Sequence, residues 1–276
     1  MPGGLNLKIG FIGLGNMGSS LAAGLLDSGA ISAGNVAVAN RSPVKAETFA
    51  RRYAGVVVAE NNLRAAEGKD VIFVAVRTDQ LLGVLREVSS AGEGVHLVVV
   101  NGALPLSMLE GVCKGPVSKL VPSVTMEHGR GVSLVSHGPS VSPSQARSLE
   151  RALGRASKVV MVPEDKMDVA ADLTSCGPAL IAEMMHQFAE AGVRHGIARK
   201  DAWDLVLETM QGAALALASG ESAASLKEKV ATKGGITEQG LLVLEAGLPA
   251  VFDEVMDRTM AKHAEVRKRL MKDIVP

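Results

Sequence analysis

Short, continuous apolar runs rich in β-branched residues constrain the first half of this chain most. "LKIGFIG", "NVAVAN", "GVVV", "DVIFVAV" and "HLVVV" are too short for helices and too uniformly apolar for strands with one wet face. Runs of this kind suit strands covered on both sides, as in parallel sheets. Amphipathic stretches separate them, from about Met17 to Asp27 and from Pro43 to Tyr53. Strand–helix alternation predicts a parallel, doubly wound sheet. "VSKLV", "GVSLV" and "SKVVMV" follow with less helix between them and extend the sheet, with room for antiparallel pairing among them.

After Pro163 the apolar spacing changes from strand-like to helical. "IAEMMHQFAEAGV", "DAWDLVLETMQGAALALA" and "AVFDEVMDRTMAKHAEV" repeat at the helical period, and no strand is expected from Asp165 to Lys272. Loops are expected at "TSCGP", "GIARK" and "TKGGIT". The boundary falls near "VPEDK", residues 162–166, giving an α/β fold: an N-terminal Rossmann-like doubly wound sheet (residues 1–163) followed by an all-α dimerisation domain (residues 164–276). Segments such as "AALALA" are apolar nearly all round and need cover on more than one side. A second copy of the chain is the expected cover, in a homodimer or higher homo-oligomer.

Composition excludes several functions. The 29 basic and 29 acidic residues cancel, and only one Trp, one Tyr and five Phe are present. Neither a nucleic-acid partner nor an anionic membrane surface is expected. Cys113 and Cys176 are too few for a disulfide framework or a zinc site, so no metal is expected. The start lacks a signal-peptide pattern and no apolar run is long enough for a bilayer, which together suggest a cytoplasmic protein. The basic run "AEVRKRLMKD" reads as a solvated helix end.

"IGFIGLGNMGSSLAAGLL" carries Gly13, Gly15 and Gly18 in G-x-G-x-x-G spacing, after a strand and opening a helix. That context makes a weak pattern informative. Gly13 permits the tight turn, Gly15 lets backbone approach a pyrophosphate, and Gly18 allows close helix–strand packing. With Ile12, Leu14, Asn16 and Met17 they form the candidate phosphate loop. The second strand ends in Asn40-Arg41-Ser42, with no carboxylate to repel a ribose 2′-phosphate and an arginine to pair with one. The reading is NADPH, with NADH as the alternative. Val76, Arg77 and Gly102 lie in loops after the fourth and fifth strands and should border the nicotinamide half. Asn62 could reach the adenine side or simply start a helix.

The residues also set aside some hydride-transfer chemistries. Tyr53 is the only tyrosine and lacks a lysine four positions on, so a Tyr/Lys pair is absent. "DLTSCGPALIAEMM" has no lysine at its helix start. The helical region has His186, His195 and His263; His186 and His195 show no acid partner in the sequence, and His195 looks like a helix C-terminal residue.

Almost end to end, through "IGFIGLGNMG", "NRSPVKAE", "VIFVAVRTDQ", "TSCGPAL", "AEAGVRHGIAR" and "VATKGGITEQGLLVLE", the chain resembles the pyrroline-5-carboxylate reductases. The resemblance implies NAD(P)H-dependent reduction of the C=N bond of 1-pyrroline-5-carboxylate to L-proline, by a two-domain fold that interlocks into a dimer. It implies that Gly234, Gly235 and Ile236 hold the substrate carboxylate and that Thr237 is catalytic, bonding the imine nitrogen. Thr237 could also be an N-cap. By the same resemblance Ser175, Cys176 and Gly177 line the substrate pocket, and Glu221 approaches the substrate amine unless it is an ordinary surface glutamate.

The departures are local. Lys233 replaces the family's usual proline before Gly-Gly, the family's Ser-Gly-Ser-Gly-Pro is only partly kept in residues 174–178, and "VPSVT" replaces Met-Pro-Asn-Thr-Pro. Lys233 could strengthen anion binding or point into water. Cys176, at an expected helix N-terminus, is read as a redox-sensitive thiol or a small filler. Altered pocket segments beside an intact cofactor loop leave open a reductase of another small imine or carbonyl acid, or a catalytically weak NADPH-binding protein.

Overall fold

The computed structural model describes residues 5–92 and 94–274, with side chains to residue 271. Eight strands, β1 (Ile9–Ile12), β2 (Val36–Ala39), β3 (Val57–Val58), β4 (Val71–Val74), β5 (His96–Val99), β6 (Val117–Pro122), β7 (Val132–His137) and β8 (Lys158–Met161), form one sheet of order β3-β2-β1-β4-β5-β6-β7-β8. All neighbours are parallel except β6 and β7. The helices of this part are α1 (Asn16–Asp27), α2 (Pro43–Arg52), α3 (Asn62–Ala66), α4 (Thr78–Val88), α5 (Leu106–Val112), α6 (Pro143–Leu153) and α7 (Met167–Ala171). The expected parallel core and the antiparallel extension are both present.

Alternation along the strands divides the core between two faces. Ile9, Phe11, Val71, Phe73 and Val98 point to one face, where α1 adds Leu21 and Leu25 and α6 adds Leu149 and Leu153. Ile12, Ile72, Val74, Leu97 and Val99 point to the other, with Leu81 and Leu85 of α4 and Leu109 of α5. Burial on both faces is why these strands read as unbroken apolar runs. Register then places the site: Ile12 pairs with Ala39 and Val74, and Val74 with Val99. The loops after β1, β2, β4 and β5 therefore leave the sheet at one level.

The remaining helices are α8 (Gly177–Arg194), α9 (Arg199–Ala218), α10 (Ala223–Val230) and α11 (Ile236–Ile274). No strand occurs among the described residues from Asp165 to Lys272, as expected. The chain divides into two compact units, Met1–Cys176 with Met260–Pro276, and Gly177–Thr259. Compactness thus divides the chain later than residue 163, because α7, the turn after it and the end of α11 pack within the first unit. Val266 and Leu270 of α11 join the core beside α4 and α5, and Arg267 pairs with Asp168. The basic C-terminal run is therefore only partly a solvated face; the side chains of Lys272 and Asp273 lie outside the described residues.

In the second unit α8 and α9 pack through Ala189, Ala202 and Val206. Much of its remaining apolar surface is bare: Phe188 is 63% exposed, Leu215 66% and Val243 71%. Among the described residues no helix is long and apolar enough to cross a membrane.

"TSCGP" is not a loop. Residues Asp172–Cys176 form a π-helical turn that follows α7 and runs into α8. Pro178 sits in the first turn of α8, where its missing N–H costs little because the wider turn before it has already altered the hydrogen-bond ladder.

A polar row is buried at the opposite edge of the sheet from the register-aligned loops. His96 Nε2 lies 2.7 Å from Ser118 Oγ, which lies 2.6 Å from His137 Nδ1. His96 Nδ1 is buried without a partner. Burial, with a smaller contribution from His137, pushes His96 from 6.5 down to about 4. Folding therefore holds His96 neutral, and its contribution to stability is present above pH 6.5 and lost as pH falls towards 4. A shift of this size is worth about 3 kcal/mol. Urea unfolding at pH 7.5 and 4.5 should show the native protein losing more stability between the two than His96→Asn, by roughly 2–3 kcal/mol.

Candidate active site

The aligned loops enclose a cleft of about 480 Å³ lined by Ile12, Gly13, Gly15, Asn40, Arg41, Ser42, Lys45, Asn62, Ala75, Val76, Arg77, Gln80 and Val84. It opens where β1 has β2 on one side and β4 on the other, the switch point of a doubly wound sheet. Gly13 has φ +94°, and a Cβ there would collide with the Ala75 carbonyl oxygen; at Gly18 it would strike the Gly13 carbonyl oxygen. At Gly15 it would meet nothing within 4 Å. Two of these glycines are thus demanded by the chain's own packing, and the third leaves space beside the N-terminus of α1. Gly15 is the N-cap of that helix and provides no side-chain cap, so the first-turn amides stay open to an anion. The loop accordingly fits a dinucleotide pyrophosphate.

Expected cofactor residues divide by role. Ile12, Gly13, Gly15, Asn40, Arg41, Ser42, Asn62, Val76 and Arg77 line the cleft together. Leu14 and Asn16 line an adjoining cavity, which shares Gly15 and Lys45 with the cleft. Met17 and Gly18 lie in the first turn of α1, and the Gly102 carbonyl accepts from Lys119 Nζ at 3.2 Å. Asn40 works as a clamp: its Oδ1 accepts from Leu14 N–H at 2.9 Å while its Nδ2 donates to Ser42 O at 3.0 Å. The helix-start role considered for Asn62 belongs to Asn61, whose side chain accepts from Arg64 N–H; Asn62 Nδ2 donates to Glu87 at 2.9 Å. Arg77 is held by Asp79 at 3.1 Å. Arg41 is exposed at the cleft beside Lys45, and no ion pair ties either of them among the described residues.

In the second unit, Gly234 has φ +73°, and a Cβ at Gly235 would run into Thr232, 2.8 Å from its carbonyl oxygen. Both glycine amides already have partners, contrary to the expectation that they stand open. Gly234 N–H donates to Glu238 Oε2 at 2.7 Å and Gly235 N–H to Thr232 O at 2.8 Å. The glycines are needed to make the turn, and the amides presented to an anion are those of Ile236, Thr237 and Glu238 at the start of α11. Thr237 is exposed and lies inside that first turn, so it is not the N-cap. Lys233 is exposed. Glu221 precedes α10, 2.6 Å from Lys229 and accepting from Ser225 Oγ at 3.2 Å. Lys229 holds its carboxyl below the usual range; burial opposes this, and Ser225 adds a smaller lowering effect.

The π turn belongs to the first unit. Ser175 Oγ donates to Pro122 O at 3.2 Å, which sets the turn against the carboxyl end of β6. Cys176 is exposed, but it does not open a helix; burial, followed by Asp172, raises its thiol pKa, so a thiolate is disfavoured there. Gly177 is buried at the start of α8. Ser123 is buried, its Oγ 2.8 Å from Thr125 Oγ1.

Other residues gave the sequence reading little to find. Lys45 reaches the cleft because it lies one turn into α2, three positions after Ser42, a spacing that could have singled it out. Lys119 is 3% exposed and spans from Gly102 O to Glu164 Oε1 at 3.0 Å, which also accepts from Leu106 N–H. His263 has acid partners: Asp172 at 2.9 Å and Asp168 at 3.9 Å. They lie more than ninety positions away in sequence, so no local pattern announces them. His195 Nδ1 lies 2.8 Å from the Ala191 carbonyl oxygen just beyond the end of α8, as its sequence position suggested.

Comparison with known proteins adds the lineage of these parts. Residues 164–266 match the family "Pyrroline-5-carboxylate reductase dimerisation", and residues 8–101 match "NADP oxidoreductase coenzyme F420-dependent". The chain is 29% identical to ComE operon protein 4 of Bacillus subtilis, over 94% of this chain and 96% of that one. It is 29% identical to pyrroline-5-carboxylate reductase of Methanosarcina acetivorans, over 96% and 99%. Among solved structures, Plasmodium falciparum pyrroline carboxylate reductase with NADP bound superposes with TM-score 0.82 at 25% identity, covering 97% of this chain and 99% of that one.

The clamp role of Asn40 has a measurable consequence. Asn40→Ala should weaken binding of NADPH and NADH alike, about tenfold each, in fluorescence titrations. A loss confined to NADPH would instead make Asn40 a direct reader of the 2′-phosphate.

Proposed function

We propose that this chain is an NAD(P)-dependent oxidoreductase of the pyrroline-5-carboxylate reductase type and that its reaction is the NADPH-dependent reduction of 1-pyrroline-5-carboxylate to L-proline; the two partial family matches and a relative at 29% identity support this reading. The observation that carries this reading is the pairing of two anion cradles of different size in one chain. One is the dinucleotide cleft with Gly15, Arg41 and Lys45; the other is the open first turn of α11 with the Thr237 hydroxyl.

The dinucleotide, when bound, supplies a hydride from nicotinamide C4. Arg41, Ser42 and Lys45 would hold the 2′-phosphate, the arginine through charge-assisted hydrogen bonds. Ile236, Thr237 and Glu238 N–H groups take the substrate carboxylate, aided by the positive end of α11. Lys233 adds charge at the same turn. Thr237 Oγ1 holds the imine nitrogen and orients the ring so that the imine carbon, which becomes C5 of proline, faces the hydride donor. A cyclic imine is basic enough to arrive protonated, so hydride addition yields the neutral ring amine without a strong acid from the protein. Positioning and exclusion of water are then the main catalytic work. Ser175 and Cys176 line the pocket, and Glu221 faces the amine.

In the division of labour we propose, residues 1–163 bind nucleotide and residues 164–276 serve substrate and assembly. The bare apolar faces around Phe188, Leu215 and Val243 support a homodimer in which a second copy covers them. The reaction is assigned to the cytoplasm. A second reading, another small imine or carbonyl acid as substrate, is favoured by Ser123, Cys176 and Lys233, all in pocket-forming segments.

Arg41→Ala should raise the NADPH Kd about tenfold or more and leave that for NADH within about twofold; equal losses would remove the 2′-phosphate assignment. Thr237→Ala should lower kcat/KM for pyrroline-5-carboxylate about 10–100-fold, with Thr237→Ser retaining most of it. NADPH oxidation with another imine or carbonyl acid but not with pyrroline-5-carboxylate would select the second reading. Tight NADPH binding without turnover of any would leave a binding protein.

A further inference from the structure

Away from the cofactor cleft, the first unit buries a cluster of charges that neither binding nor chemistry has yet used. Asp168 on α7 and Asp172, the first residue of the π turn, are 8% and 1% exposed. Both face the end of α11. His263 Nε2 is 2.9 Å from Asp172 Oδ1, His263 Nδ1 is 3.9 Å from Asp168 Oδ1, and the Arg267 guanidinium pairs with Asp168. A buried ion pair recovers little more than the cost of desolvating its own charges, so such a cluster is a poor means of stabilising a helix. Attachment of this helix end does not depend on it alone, because Val266 and Leu270 already join the apolar core.

What the cluster holds is the π turn. A π turn inserts extra backbone into a helix and closes on wider i→i+5 bonds, so the side chains that anchor it help to fix its phase. Here the turn is fixed at both ends by side chains: Asp172 through His263, and Ser175 through its bond to Pro122 O at the carboxyl end of β6. The loops after the neighbouring β4 and β5 leave that same edge of the sheet. Between the two fixed points lies the backbone that sets where Ser175 and Cys176 project, four positions on in the case of the cysteine.

We propose that His263 is a positioning residue for the reaction: through Asp172 it sets the phase of the π turn and so the placement of Ser175 and Cys176 as the substrate-side wall. The inference rests on the imine-reductase reading for the identity of the substrate, while the geometric part stands on the turn alone. The cofactor cleft is built from the loops after β1, β2 and β4, so loosening the turn leaves dinucleotide binding intact.

The test uses the full-length protein with His263→Ala, the shape-conserving His263→Gln, and Asp172→Asn as a second way to break the pair without a cavity. Hydrogen exchange read by mass spectrometry should show peptides spanning 172–176 exchanging at least about tenfold faster in His263→Ala, with peptides of residues 9–18 unchanged. KM for pyrroline-5-carboxylate should rise about tenfold while the NADPH Kd stays within about twofold, and His263→Gln should recover most of both effects. Faster exchange spread evenly over the first unit, or NADPH affinity falling together with KM, would make the cluster a general structural support and overturn the proposal. Unchanged exchange in the turn would overturn it as well. If the native protein does not turn over pyrroline-5-carboxylate, the substrate reading fails while the exchange measurement still decides the positioning role.

Discussion

The close approach of the β1–α1 turn to the end of β4 is the constraint on which the rest depends. Gly13 lies against the Ala75 carbonyl and Gly18 against the Gly13 carbonyl, so side chains at either position would push α1 away from the sheet. With those contacts made, α1 points its open first turn into the crevice between β2 and β4. The equal lengths and matched register of β1, β2, β4 and β5 then bring Asn40, Ala75 and Val100 to the level of the glycine turn. A phosphate site results from backbone packing alone, and Asn40 fastens two of its loops with one amide. At the far end of the cleft Arg41 and Lys45 stand without ion-pair partners among the described residues.

The turn before α11 uses glycines with a different backbone solution. In the 232–237 turn Gly234 is needed for its positive φ and Gly235 because Thr232 folds over it, and their own N–H groups are consumed in closing the turn. Closing it exposes the next amides at the head of a 39-residue helix. In both places a glycine turn leads directly into the start of a helix.

Much of this was legible in the sequence because it is local. Unbroken apolar runs marked strands buried on both faces, and G-x-G-x-x-G in its strand–helix setting marked the cleft. Asn40-Arg41-Ser42 marked its far end. Features that depend on distant partners were not legible. Asp172 and His263 lie far apart in sequence, and nothing near either residue indicates a pair. "TSCGP" looked like a break because Gly-Pro commonly starts a helix, whereas a π turn satisfies the same residues within one. Cys176 looked activated on that mistaken helix start. Glu238 was overlooked as the partner of Gly234, although its position four residues on is within reach of any first turn.

The central claim is that this chain moves a hydride from NADPH to the ring carbon of a small imine acid. Incubating the protein with 1-pyrroline-5-carboxylate and NADPH carrying two deuterons at nicotinamide C4, then examining the product by NMR, tests it most directly. The account requires L-proline with one deuterium at C5. Unlabelled proline, or no proline while the reduced dinucleotide binds tightly, would contradict it.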